Sequence, residues 1–76
     1  MIIYEVFSTV CEDVECGKYE TFGILAKGIE EGKEIVVDSL SDISTDESLV
    51  KALCGYCNDR RVPPFMMCGV IEDFII

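Results

Sequence analysis

Asp42-Ile43-Ser44-Thr45-Asp46-Glu47 is the stretch at which strand-like sequence gives way to helix-like sequence. Before it, apolar and polar residues alternate or sit in Gly-bearing turns; after it, apolar residues recur every three to four positions. The stretch also reads as a helix start. Ser44 can accept from the backbone N–H of Glu47 while the Glu47 carboxylate reaches back to the Ser44 N–H, a capping box that satisfies otherwise orphaned donors. Asp46 and Glu47 then place negative charge on the positive end of the helix dipole.

Upstream, residues 2–11 alternate, with Tyr4, Val6, Ser8 and Val10 on one side and Ile3, Glu5, Phe7 and Thr9 on the other. β-Branched and aromatic residues dominate, which predicts a strand. Residues 12–17 are acidic and end in Gly, a hairpin connection; residues 18–27 resume the strand pattern, with Phe22, Ile24 and Ala26 on one face. Gly23 interrupts that strand and predicts a bulge or a close crossing by a large neighbour. Residues 28–33 form a turn, and residues 34–40 a third strand, so the first half is an antiparallel meander.

Downstream, a helix is expected over residues 45–57, with Leu49, Val50, Leu53, Cys54 and Cys57 on its buried side and Lys51 beside Glu47 on the other. Asn58 reads as its stop, and Asp59-Arg60-Arg61 as a polar connection. Pro63-Pro64 opens a second helix, where a missing N–H costs little. Met67, Val70, Ile71 and Phe74 form its stripe. The fold class is therefore α+β, a three-stranded antiparallel meander with two C-terminal helices on one face, βββαα in two layers. A single domain is expected over residues 1–76, with 1–41 the meander and 42–76 the helical pair.

Seventy-six residues allow one core, and a chain of this size buries only roughly 60% of the surface its unfolded form exposes. Half of the residues are hydrophobic, so such a core is reachable. Fifteen acidic residues against six basic ones, with no His, give a net charge of −9. Nucleic acid is not expected as a ligand, because its binding rests on Lys and Arg displacing phosphate counterions, and acidic membrane surfaces are disfavoured by the same repulsion. Residues 1–5 lack the features of a secretory signal, and the least polar window, residues 62–71, is broken by Pro63, Pro64 and Gly69. A cytoplasmic protein is expected. Its five cysteines, an odd number, would be thiols there.

The order of Tyr19-Glu20-Thr21-Phe22-Gly23-Ile24, Asp42-Ile43-Ser44-Thr45-Asp46, Cys57-Asn58 and Val70-Ile71-Glu72-Asp73-Phe74 resembles that of a family of short bacterial proteins of unknown function. That family is found mainly in clostridial and related Gram-positive genomes. The resemblance implies a bacterial, cytoplasmic, single-domain protein and brings no activity, cofactor or catalytic residue with it.

Three constellations carry possible chemistry. Cys54-Gly55-Tyr56-Cys57 has redox-pair spacing, but it falls at the predicted helix end, where the dipole disfavours a thiolate; buried packing explains both thiols better. Cys11 and Cys16 together with Cys54 and Cys57 could supply four sulfurs to a structural zinc, the alternative to an otherwise cofactor-free chain. Asp42, Asp46, Glu72 and Asp73 could make a divalent-ion or acid–base site, although cap and solvated-face roles account for each. Without His, a nucleophile elbow or a phosphate-cradling Gly motif, no catalytic residue is assigned and an enzyme is not expected.

Apolar residues remain that so small a fold cannot cover. Phe65 and Met66 at the start of the second helix, and Ile75 and Ile76 at its end, are candidate interaction residues. The first strand, at a sheet edge, offers unpaired backbone groups and bulk on both faces. The leading expectation is a non-catalytic interaction module whose partner is another protein or a second copy of itself.

Overall fold

The computed structural model describes residues 1–75. Alternation in the first half produces three strands, β1 (Ile2–Asp13), β2 (Gly17–Glu30) and β3 (Lys33–Ser44), in an open antiparallel sheet of order β1-β2-β3. The second half gives α1 (Glu47–Asp59), a 3-10 turn (Pro64–Met66) and α2 (Met67–Ile75). This is the α+β arrangement expected, with longer strands.

The β2–β3 turn is tighter than the six residues expected. Glu31 and Gly32 alone make it, both with left-handed φ (51° and 77°), the two-residue geometry that matches the twist of a hairpin.

β1 and β2 pair without interruption from Ile2↔Gly28 to Asp13↔Gly17. β2 and β3 pair less regularly. Between Phe22↔Ser44 and Ile24↔Leu40, Gly23 alone faces residues 41–43, and Asp42 takes a left-handed φ of 54°. A Cβ on Gly23 would meet the Leu40 carbonyl oxygen, lie 2.8 Å from Ser41 Cα and 2.9 Å from Phe7 Cζ. The bulge and the close crossing expected there are thus both present, and only a glycine fits between them.

Tyr4, Phe22, Ile24 and Ala26 share one face of the sheet and pack with Val50, Leu53, Cys54 and Cys57 of α1 and Met67 and Ile71 of α2 in one buried cluster. Both helices therefore cover that face. On the other, Lys27 bridges Glu5 at 2.9 Å and Glu34 at 3.3 Å. Those two hydrogen bonds, to Glu5 and then Glu34, hold the Lys27 ammonium above its usual pKa.

Several boundaries move. Asp42, Ile43 and Ser44 belong to β3, so the sheet runs three residues beyond the expected division at residue 41. The expected capping box does not form. Ser44 is paired with Phe22, and Asp46 takes the N-cap, its Oδ1 accepting the Leu49 N–H at 3.3 Å. Ser44 instead accepts the Asp46 N–H at 3.0 Å, and Glu47 pairs forward with Lys51 at 3.3 Å. The physical reason is that strand pairing holds Ser44 extended, so the first helical turn starts later. Leu49, expected on the buried stripe, is 37% exposed.

α1 passes Asn58 and ends in a Schellman motif: the Val62 N–H reaches the Cys57 carbonyl at 3.0 Å and the Arg61 N–H the Asn58 carbonyl at 3.3 Å. Arg61 holds the left-handed position, φ 50°, that glycine usually fills. Val62, tucked in at 8% exposure, then leads into Pro63 and Pro64.

Candidate interaction surface

The structure scatters the expected chemical constellations. Cys16 is exposed at the tip of the β1–β2 hairpin, Cys11 is half-buried in β1, and Cys54 and Cys57 lie in the core. Among the described residues no three Cys, Asp or Glu side chains converge as metal ligands, which leaves the four-sulfur alternative unsupported. Spacing in sequence suggested a cluster, but the hairpin carries its two thiols away from the helix layer. The Cys54 and Cys57 thiols are pushed up in pKa, chiefly by burial, with Cys57 and Glu5 adding at Cys54. Burial thus opposes the thiolate that a redox pair needs.

The candidate carboxylates are dispersed too. Asp46 caps α1, and Glu72 and Asp73 lie exposed on α2. Asp42 accepts the hydroxyl of the fully buried Thr21 at 2.7 Å, which closes the β3 bulge over β2. The same carboxylate is the main influence holding the Tyr19 phenol above its usual pKa, with Cys11 adding.

Of the interaction candidates, Phe65 is 84% exposed and Met66 50% exposed. The side chain of Ile75, and Ile76 altogether, lie outside the described residues. Phe74, expected on the buried stripe, is half-exposed and meets the edge of the Tyr56 ring, centroids 4.9 Å apart.

An open groove of about 760 Å³ runs between the start of β1 and the α1–α2 connection, lined by Ile2, Tyr4, Asn58, Arg61, Val62 and Pro64 among others. Its lining is mainly apolar. The Asn58 amide in its wall is already engaged: Oδ1 accepts the Tyr4 N–H at 2.8 Å, and Nδ2 donates to the Tyr4 carbonyl at 3.0 Å. The Tyr4 hydroxyl donates to the Val62 carbonyl, so backbone and side chain of one strand residue are both tied to the end of α1.

This tie fixes which backbone groups of the β1 edge, expected to be unpaired, point outward. Because Tyr4 turns its N–H and C=O away from β2, Val6, Ser8, Val10 and Glu12 do the same. Among the described residues, no hydrogen bond of the fold reaches those outward groups. Beyond Phe22 the sheet has only two strands, since β3 pairs no further, so residues 9–21 project as a hairpin arm. On the arm Val10 is 65% exposed and Val14 fully so.

The opposite edge is guarded. β3 bears Lys33, Glu34 and Asp38, two register shifts, and a Ser39 N–H taken by Asp38 Oδ1 at 2.8 Å. Its Ile35, Val36 and Val37 are exposed, an apolar run that the sequence reading did not single out.

No helix among the described residues is long and apolar enough to cross a membrane. No curated protein and no solved structure matches the chain. A family model described as "Family of unknown function (DUF6514)" matches residues 1–76, in agreement with the resemblance to a family of unknown function. With the whole length matched, the chain belongs to that family of unknown function, DUF6514.

Proposed function

We propose that this protein is a non-catalytic interaction module of the bacterial cytoplasm, of Gram-positive origin, that takes a protein partner along the outer edge of β1. The observation that carries the reading is the change at Tyr4. At that residue the edge is occupied by the Asn58 amide; from Val6 to Glu12 its outward backbone donors and acceptors are open. Unpaired edge groups on a regular strand are a template for another strand, which gains main-chain hydrogen bonds on arrival.

Two further features support it. The groove beside Tyr4 offers Arg61 and an Asn58 amide already in use, and convergent titratable groups of the kind an active site needs are lacking there. Phe65 and Met66 add exposed apolar surface on the helix layer, suited to a second contact.

A photo-crosslinking residue placed at Val10 tests the reading in the producing cells, with the same residue at Lys51, exposed on α1, as the comparison. Polypeptide adducts are expected from position 10 and not from position 51. A folded protein that forms no polypeptide adduct at position 10 overturns the proposal.

A further inference from the structure

Resting on strand addition at β1, we infer that the segment added is basic: an extended stretch of a protein partner that sets Lys or Arg beside Glu12 and Asp13 and an apolar residue beside Val10. The edge fixes the form of this ligand. Val6, Ser8, Val10 and Glu12 turn their N–H and C=O outward, and among the described residues no hydrogen bond of the fold takes these groups. Only a chain with its own peptide groups at strand spacing answers such a row, so a lone cation or a polyamine does not.

Charge fixes its chemistry. On a chain of −9, the projecting arm of residues 9–21 holds four acids, Glu12, Asp13, Glu15 and Glu20, and one cation, Lys18. Lys18 lies across from Glu12 on β2, 3.7 Å away, with the two side chains 74% and 75% exposed, and a pair so wet neutralises little. Glu12 and Glu20 stand on the face that carries Val10 and Asp13 on the other, so both faces of the arm are negative. On the Asp13 face, Asp42 accepts the Thr21 hydroxyl at 2.7 Å and is the main influence that raises the Tyr19 pKa, with Cys11 and Asp13 adding.

Together these give the partner a recognisable pattern. Successive residues of an added strand point to opposite faces, so two adjacent basic residues meet Glu12 on one face and Asp13 on the other. Val10, 65% exposed, lies two residues from Glu12 on the same face, and an apolar residue two positions from the basic pair covers it. A segment with acids at those places sets like charges side by side.

Displayed peptides of about ten residues, random in sequence and selected on the full chain, test this, with amide exchange on the synthetic forms of those selected. The selected peptides are expected to carry an adjacent Lys or Arg pair two positions from an apolar residue and to protect the Ser8 and Val10 amides. Glu12→Lys with Glu20→Lys should weaken their binding by about tenfold or more, while Glu72→Lys with Asp73→Lys, an equal change of net charge on exposed α2 residues, should weaken it far less. Asp13 is kept, because its Oδ1 holds the Glu15 N–H of the turn at 2.7 Å. Ser8→Pro removes an outward N–H that the single chain does not use and should weaken any strand bound there. Peptides that protect those amides yet are neutral or acidic, or that bind the Glu12 and Glu20 variant as tightly, overturn the basic partner and leave strand addition standing; so does a synthetic peptide of residues 6–13 that binds as tightly as they do. Selected peptides that leave Ser8 and Val10 unprotected, or a selection that yields none, overturn both.

Discussion

The side-chain amide of Asn58 lies across the edge of β1 and makes with Tyr4 the two hydrogen bonds, at 2.8 and 3.0 Å, that a neighbouring strand would otherwise make with that residue. One helix side chain thereby ends the exposed edge at a defined position and fixes the end of α1 to the sheet. Asn58→Ala would leave a part-buried N–H and C=O unsatisfied. A loss of about 1–3 kcal/mol is expected, read as a lower urea midpoint with an unchanged slope. Asn58→Asp keeps the acceptor and loses the donor, setting a carboxylate against the Tyr4 carbonyl. Its deficit should shrink as acid protonates that carboxylate and restores a donor.

The helix cap separates two residues that look interchangeable in sequence. Asp46→Ala removes the oxygen that takes the Leu49 N–H and should cost about 0.5–2 kcal/mol in thermal or urea unfolding. Ser44→Ala should cost less, because Ser44 Oγ supports a single N–H outside the helix. A larger loss at Ser44 than at Asp46 would contradict the assignment.

Gly23→Ala is expected to be among the most damaging small substitutions in the chain. The added methyl meets backbone of Leu40 and Ser41, which cannot rotate aside, and overpacking of this kind costs about 1–3 kcal/mol or more. Gly55→Ala is the matched comparison: nothing lies within 4 Å of its added methyl, and helix propensity predicts a gain of up to about 1 kcal/mol. Unfolding curves of the two variants should move in opposite directions.

Arg61→Gly should stabilise the protein. Arg61 sits at φ 50° in the Schellman motif, where a side chain costs about 1–2 kcal/mol, against about 0.5–1 kcal/mol for the added chain entropy of glycine. A net gain of about 0.5–1 kcal/mol is expected in denaturant midpoints.

The thiols give a pH dependence with a definite sign. Burial raises Cys54 and Cys57 above the ordinary value of 9.0, and the Tyr4 phenol rises for the same main reason. The unfolded chain therefore loses these protons first. Their contribution is fully present below the ordinary thiol pKa and is lost as pH rises through the folded-state values. Stability measured by urea should fall with alkaline pH over that window. Replacing Cys54 and Cys57 with apolar residues of similar size should flatten the slope. At neutral pH a thiol reagent should label the exposed Cys16 and Cys68 rapidly, and Cys54 and Cys57 only on unfolding.

Element order was legible because two periodicities are written along the chain: alternation through residues 2–11, and a three-to-four repeat through Val50, Leu53, Cys54 and Cys57. Boundaries were less so. Ser44 and Asp46 are both competent caps, and the pairing of Ser44 with Phe22, more than twenty positions away, chooses between them. Asn58 reads locally as a helix stop, while its partner Tyr4 lies 54 residues upstream. The projecting arm follows from where β3 leaves β2, after the Phe22–Ser44 pair, and not from the composition of β1.

By itself, then, the sequence determined that three strands precede two helices, because local dihedral preference and side-chain period act over a few neighbouring residues. Which sheet face is covered and at which residue Asn58 closes the β1 edge were decided only in the tertiary structure. Both faces of β1 carry bulky residues, so burial alone does not choose between them. The choice is made where Lys27 gathers Glu5 and Glu34 on one side and Ile24, Leu53, Met67 and Ile71 close over the other, contacts between residues far apart in the chain.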